Sequence, residues 1–226
     1  LAPANVSGIV NLCKWASEGC MIACLNTAGR ASFDDNISKA RINRTIWYVR
    51  FKPLYWARLI KEIKALIRKA NRMGLTPVIR LNGTSDQPYE RIKIQGTEFD
   101  GLTLFEAFPD VQFYDYTKAT YSERASIPNN YHLTYSYSEN TTPEIIAENI
   151  QNGRNVAVVF NVCKLGNKGK CYTKCYCPLP TTWNGYTVIN GDESDIRFND
   201  QSGVIVGLHA KGDARHDKSG FVVTIN

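Results

Sequence analysis

Three cysteines lie close together near the start of the chain, at Cys13, Cys20 and Cys24. Their spacing is C-x6-C-x3-C, in a segment that also contains glycine and several alanines. Cysteine thiolates hold iron–sulfur clusters, and zinc takes the same ligands. A site with only three protein ligands keeps a position open for a substrate or a cofactor. The spacing therefore predicts a metal centre, with iron–sulfur and zinc both open as its content.

A second group of four cysteines follows in the second half of the chain, at Cys163, Cys171, Cys175 and Cys177. The surrounding segment is rich in glycine and lysine, which predicts an insertion loop over residues 163–178. Four thiolates suit a tetrahedral zinc site or a second cluster. One of them could instead supply a fourth ligand to the first site. A loop closed by disulfides and a set of plain reduced thiols are the remaining interpretations.

Seven cysteines is an odd number, so a fully disulfide-bonded monomer would leave one over. Their grouping favours a reducing compartment, and we expect a cytoplasmic protein. An extracellular protein stabilised by disulfides is the competing interpretation. The sequence contains no run of about 18 or more apolar residues, so no membrane span is predicted. The opening LAPA looks like the end of a strand, so we expect a strand before Leu1.

Two consecutive helices are predicted, at about 38–51 and 53–73, and in the second the hydrophobic residues recur at intervals of three and four. Pro53 suits the start of the second helix and Gly74 suits its end. Shorter helices are expected before Pro109 and up to Gly153. Short apolar runs predict five strands, at residues 76–81, 111–116, 131–136, 155–162 and 204–208.

Strands that are apolar along most of their length and alternate with helices indicate a parallel sheet. We therefore expect an α/β fold with a mostly parallel sheet, built as an open or partial β/α barrel in one domain over residues 1–226. No G-x-G-x-x-G motif follows a strand, so dinucleotide binding of the Rossmann type has no support.

Polar residues follow the predicted strands, at the end where β/α barrels carry their functional groups. After the first strand come Asn82, Gly83, Thr84, Ser85 and Asp86, where a tight turn could grip a carboxylate or a phosphate. Any one of these residues could also be an ordinary turn residue. The other strand ends supply Asp115, Lys118, Ser136, Glu139, Asp192, His209 and Lys211.

The formal net charge is +6, and many of the basic residues fall on the second predicted helix. A solvated helix face is the simpler explanation for this pattern. The alternative is a nucleic-acid-binding accessory protein with a structural zinc or iron–sulfur site. That function requires the basic helix residues and the lysines from Lys164 to Lys174 to form one surface. The helix residues concerned are Lys61, Lys64, Arg68, Lys69 and Arg72.

The sequence resembles a family of bacteriophage and plasmid proteins over nearly its whole length. The segments that carry the resemblance are GCMIACLNTAGR, PVIRLNGTSD, FPDVQFYDYTK, NVAVVF, LPTTWNGYTVINGD and GVIVGLHAKG. Some members of that family are labelled as replication-associated. The cysteine segment is also similar to phage proteins that have an N-terminal three-cysteine motif and a barrel like that of radical S-adenosylmethionine enzymes.

This resemblance implies a 4Fe–4S cluster on Cys13, Cys20 and Cys24, with S-adenosylmethionine bound at its open iron. It implies that residues 82–86 help to hold the cofactor. From the strand-end pattern we expect Ser136 to contact the cofactor as well, and Asp115, Lys118, Glu139 and Lys211 to be catalytic residues that line a substrate pocket. The setting would be the cytoplasm of a phage-infected or plasmid-bearing bacterial cell. The chain departs from the radical enzymes in two respects: it lacks their C-x3-C-x2-C spacing and their Gly-Gly-Glu-Pro loop.

Overall fold

The computed structural model describes residues 1–162 and 177–225. The chain divides into two compact units. The first comprises Leu1–Trp15, Arg30–Tyr116 and Arg124–Leu133. The second comprises Ala16–Gly29, Thr117–Glu123 and Thr134–Asn226. The expectation of one domain stays a prediction.

The described residues form five α-helices and eight strands. The helices are α1 (Glu18–Ile22), α2 (Asp35–Arg50), α3 (Lys52–Arg72), α4 (Leu104–Ala107) and α5 (Pro143–Gln151). The strands are β1 (Val78–Ile79), β2 (Gln112–Thr117), β3 (Tyr131–Ser136), β4 (Val156–Asn161), β5 (Thr182–Trp183), β6 (Tyr186–Asn190), β7 (Ile205–His209) and β8 (Val223–Thr224). The unit boundary falls within β2 and within β3.

The two long helices of the first unit, α2 and α3, have separate start signals. The side chain of Asp34 accepts a hydrogen bond from the Asn36 backbone N–H, so α2 begins about three residues before the predicted helix. Pro53 lies in the first turn of α3, where its missing N–H costs nothing. The α3 residues Trp56, Ile60 and Ile63 are buried in the core of this unit, as their spacing predicted.

In the first unit β1 pairs in parallel with β2, with Val78 opposite Gln112 and Ile79 opposite Phe113. Strand β1 is shorter than the predicted 76–81. Pro77 has no N–H to give to a neighbour, and the N–H of Asn82 bonds to the side chain of Asp115 instead of to a strand. The chain therefore turns away from the sheet directly after β1.

In the second unit β4 lies centrally, parallel to β3, to β7 and, at its carboxyl end, to β8. Strand β6 pairs in parallel with β7, and β5 pairs antiparallel with β6. Val156, Val158 and Phe160 are fully buried together with Ile146 of α5. Burial on both faces explains why β4 has a continuous apolar sequence rather than an alternating one.

The β5–β6 hairpin and β8 were not predicted. The hairpin turns at Asn184 and Gly185, both of which have positive φ, at 49° and 81°. Asn-Gly is the typical pair for such a two-residue turn, so the signal was present in the sequence. Strand β8 has only two residues, too few for a recognisable pattern.

These elements confirm a mixed α/β fold with a mostly parallel sheet of strands that does not close on itself. The partial barrel and the likeness to radical enzymes stay predictions. Within residues 1–162 and 177–225, no helix combines the length and the apolarity that crossing a membrane requires.

Candidate functional site

In the first unit several predicted site residues surround Asp115 of β2, whose side chain is completely buried. One carboxylate oxygen accepts the backbone N–H of Asn82 at 2.7 Å. The other accepts the Tyr131 hydroxyl at 2.9 Å and the Asn82 side-chain amide at 3.2 Å. Burial raises the pKa of Asp115 to about 7, although these hydrogen bonds and two nearby arginines oppose the rise.

Asp115 fixes the segment that we call the Asn82 loop, residues 82–87. Within this loop the Asn82 side-chain oxygen accepts from the Ser85 hydroxyl and from the Gln87 backbone N–H. The backbone N–H groups of Gly83, Thr84 and Ser85 have no acceptor among the residues that the structure describes. The loop is therefore held firmly at its ends and has unused donors at its tip, as an anion-binding turn requires.

Cys13 lies directly against the Asn82 loop. Its Sγ is 3.7 Å from the backbone oxygen of Thr84 and accepts the backbone N–H of Ala4 at 3.2 Å. The neighbouring Leu12 oxygen accepts from the Asp86 backbone N–H. The first predicted metal ligand and the predicted cofactor loop are thus neighbours within the first unit.

The far end of the Asn82 loop is tied to a buried ionic network centred on Arg124. This guanidinium is fully buried and bonds to Asp86 at 3.1 Å and to Glu90 at 2.6 Å. It also donates to the Tyr131 hydroxyl at 3.3 Å, which links it to Asp115. Burial opposes the charge, but the hydrogen bond to Glu90 and the nearby Tyr131, Glu90 and Asp86 together outweigh burial and raise the pKa of Arg124.

In the second unit Glu139, just beyond β3, anchors residues 17–20, which we call the Cys20 segment. Its two carboxylate oxygens accept the Ser17 hydroxyl and the Gly19 backbone N–H, both at 2.7 Å. Ser17 is also the N-cap of α1 and accepts the Cys20 backbone N–H. Glu139, a predicted site residue, therefore fixes the backbone position of Cys20, a predicted metal ligand.

The Cys20 segment packs tightly on residues that follow β7. A Cβ at Gly19 would overlap Ser219 Oγ and lie 2.9 Å from Phe221 Cβ. Cys20 packs against a small apolar cluster, and Cys24 caps the short turn Leu25–Thr27. That turn contacts the turn Gly212–His216. The cluster consists of Ala23, Ala210, Ala214, Phe221 and Val222, with Val159.

Lys118 bonds within the second unit to groups of β3 and the residue after it. Its ammonium donates to the Ser136 hydroxyl at 2.8 Å, to the Ser136 backbone oxygen at 3.0 Å and to the Tyr137 backbone oxygen at 2.9 Å. It also lies 4.8 Å from the centre of the Phe221 ring. The predicted site residues Lys118 and Ser136 are therefore in contact, next to Phe221 of the apolar cluster against which Cys20 packs.

A separate polar group of the second unit surrounds Asp192. One of its oxygens accepts the Lys211 ammonium at 2.6 Å, and the other lies 2.7 Å from His209 Nδ1. Partial burial opposes ionisation, but the bonds to Lys211 and His209 outweigh it and lower the pKa of Asp192. His209 Nε2 lies 3.0 Å from the backbone oxygen of Cys177, the one described member of the second cysteine group.

Cys13, Cys20, Cys24 and Cys177 are partly exposed and are not in disulfides. Cys163, Cys171 and Cys175 lie outside the described residues. Over the ranges 1–162 and 177–225, no three histidine, cysteine or acidic side chains are grouped as a metal site would need. The donor chemistry fits a cluster, since cysteine thiolates are its usual protein ligands.

Sequence reasoning missed four residues that shape these groups: Ser17, Glu90, Arg124 and Tyr131. Ser17 could have been found, because a serine before an acidic first turn is a typical N-cap. Arg124 and Glu90 had no such signal, since they meet across 34 residues of sequence. Their role depends on the tertiary fold alone.

The chain was also compared with known proteins. A family model described as Gene product 88 matches residues 1–225, which supports the predicted resemblance to a phage-type family. No curated protein and no solved structure matches the chain.

Proposed function

The chain belongs to the Gene product 88 family, and we propose that it is an iron–sulfur protein whose cluster ligands are Cys13, Cys20 and Cys24. The spacing of these cysteines is the primary argument, because three thiolates so close in sequence are typical of cluster ligation. Their partial exposure agrees with that role.

The observation that carries the proposal is that each cysteine or its neighbouring residues contact a segment that follows a strand. Cys13 contacts the Asn82 loop, which follows β1 in the first unit. In the second unit the Cys20 segment is bonded to Glu139, which follows β3. The turn after Cys24 contacts residues that follow β7. Carboxyl ends of parallel strands are where α/β enzymes carry their sites, so each cysteine has the surroundings expected of a functional ligand.

As a finer proposal, the cofactor at the cluster is S-adenosylmethionine, with a partial β/α barrel as its scaffold. The Asn82 loop has the donors that this proposal needs, because the N–H groups at its tip are unused within the described part of the chain. Such donors suit the carboxylate of the methionine moiety. Lys118, Ser136 and Glu139 of the second unit stay predicted site residues. Zinc at the second cysteine group stays a prediction.

Single substitutions of the cysteines test the ligand assignment. We expect Cys13→Ala, Cys20→Ala and Cys24→Ala each to lose the visible absorption of the anaerobically purified protein while far-ultraviolet circular dichroism is kept. Cys177→Ala is the matched control, since Cys177 is equally partly exposed, and this variant should keep its iron. Full iron retention in the triple alanine variant would overturn the proposal.

The cofactor assignment has its own test. We expect S-adenosylmethionine to change the electron paramagnetic resonance spectrum of the reduced protein, because it would bind to the open iron. Replacing Gly83 by Pro removes one loop N–H and should weaken this response with no loss of iron. An unchanged spectrum with saturating S-adenosylmethionine would reject this cofactor and leave the iron–sulfur proposal standing.

A further inference from the structure

The net charge of the chain is concentrated on one helix. The whole chain has 27 lysines and arginines against 21 acidic residues, which gives +6. Helix α3 alone has seven basic residues and one acidic residue, Glu62. It therefore has the same net charge as the entire chain, and the rest of the sequence is balanced. The basic residues of α3 are Lys52, Arg58, Lys61, Lys64, Arg68, Lys69 and Arg72.

Four of these seven basic residues are exposed between positions 61 and 72 of α3. Lys61, Arg68, Lys69 and Arg72 are exposed and form no ion pair with any residue in the described ranges. Lys61 and Arg68 are seven residues apart and so share one face of the helix. Two other basic residues are paired, Arg58 with Glu62 and Lys64 with Glu98. The four exposed residues therefore form an unneutralised basic face, which we call the α3 face.

The opposite side of α3 is fixed in the core of the first unit. Trp56, Ile60, Ile63 and Ala70 are buried there. A helix that lies in a membrane surface needs a continuous exposed apolar side. The exposed large apolar residues of α3, Leu54 and Leu66, are 12 residues apart and form no such side. Its aromatic residues Tyr55 and Trp56 also pack in that core, so the α3 face has none to stack on unpaired bases.

We infer that the α3 face, Lys61, Arg68, Lys69 and Arg72, binds the phosphate backbone of double-stranded DNA. The α3 face runs from Lys61 to Arg72, which is about 17 Å along the helix and equals roughly five base pairs at 3.4 Å each. Exposed lysines and arginines contact phosphates regardless of base sequence. This surface is independent of the proposed iron–sulfur site, so either can fail without the other.

The experiment measures anisotropy of a labelled 20-base-pair duplex of arbitrary sequence, titrated with the full-length protein between 50 and 200 mM NaCl. Loss of four phosphate contacts should flatten the plot of log K against log salt by about 3 to 4. We therefore expect the variant with Lys61→Ala, Arg68→Ala, Lys69→Ala and Arg72→Ala to bind at least about tenfold more weakly at 50 mM. The control removes the same charge elsewhere, through Arg30→Ala, Lys39→Ala, Arg44→Ala and Lys218→Ala, all exposed.

The expected result is salt-sensitive binding that the α3 variant loses and the control variant keeps, with unchanged thermal unfolding in both. Equal binding by the two variants would overturn the inference, because the contacts would then be spread over the whole surface. Absence of duplex binding by the wild-type protein at 50 mM NaCl would also overturn it. So would binding to vesicles of anionic lipid in the absence of binding to the duplex.

Discussion

At the scale of single residues, Asp115 shows how a polar group can serve the site without being open to a ligand. It is completely buried, and its carboxylate holds the start of the Asn82 loop through the Asn82 backbone N–H at 2.7 Å. Its position at a strand end suggested a residue that lines a pocket. Its burial indicates instead that it positions the loop in front of it.

The raised pKa of Asp115 predicts a stability change with pH. Between its ordinary pKa of 3.8 and the folded value of about 7, the folded state keeps a proton that the unfolded state releases. Stability should therefore fall as pH rises through this window, by about 4 kcal/mol in total. Asp115→Asn cannot ionise, so urea unfolding at pH 4.5, 5.5 and 7.5 should show a smaller decline. Identical pH profiles for the variant and the wild type would contradict this assignment.

The close packing around Gly19 predicts that a side chain at this position would destabilise the fold. Its replacement by alanine would place a methyl group against Ser219 and Phe221, so Gly19→Ala should destabilise the protein by about 2 kcal/mol. The matched control is Gly83→Ala, since nothing lies within 4 Å of that Cβ position. Thermal unfolding of both variants checks the prediction, and equal melting temperatures would show that the Cys20 segment adapts freely.

At the scale of elements, the Asn82 loop illustrates what the sequence could and could not predict. Its polar composition after an apolar run predicted a loop at the end of a strand. Its restraints come from Asp115, 33 residues away, and from Arg124, 38 residues from Asp86. No local pattern encodes such pairs, because they depend on which strands become neighbours.

The ionic network of Arg124, which holds the Asn82 loop at Asp86, leads to a prediction about stability. Arg124→Met removes a fully buried charge and leaves Asp86 and Glu90 without their partner, which should cost about 3 to 5 kcal/mol. Arg58→Met removes a guanidinium from an exposed pair with Glu62 and should cost less than about 1 kcal/mol. Urea unfolding measures both. A loss at Arg124 as small as that at Arg58 would mean that the network contributes little.

Helices were predicted better than short strands for a physical reason. The apolar spacing of α3 recurs over 21 residues, so its buried side could be read directly. Strands β5 and β8 have two residues each, and no period can be recognised in two residues. The Asn184–Gly185 turn was the one local signal for the missed hairpin.

At the scale of the whole molecule, chemistry and charge are separated along the chain. The cysteines and the strand-end residues form local groups within each unit, whereas the excess positive charge lies on α3. Sequence composition gave the net charge, but only the structure shows which basic residues are paired, as Lys64 is with Glu98. The second cysteine group cannot be judged in the same way, since Cys177 is its one member among the described residues.

The most direct test of the central claim is an analysis of iron and acid-labile sulfide on the full chain purified without oxygen, together with its absorption spectrum. A chain with this cluster should contain about four irons and four sulfides and show a broad band near 400 nm, as for a thiolate-bound cluster. Protein that contains zinc alone, or no metal after reconstitution with iron and sulfide, would contradict the proposed iron–sulfur function and leave Cys13, Cys20 and Cys24 as structural residues.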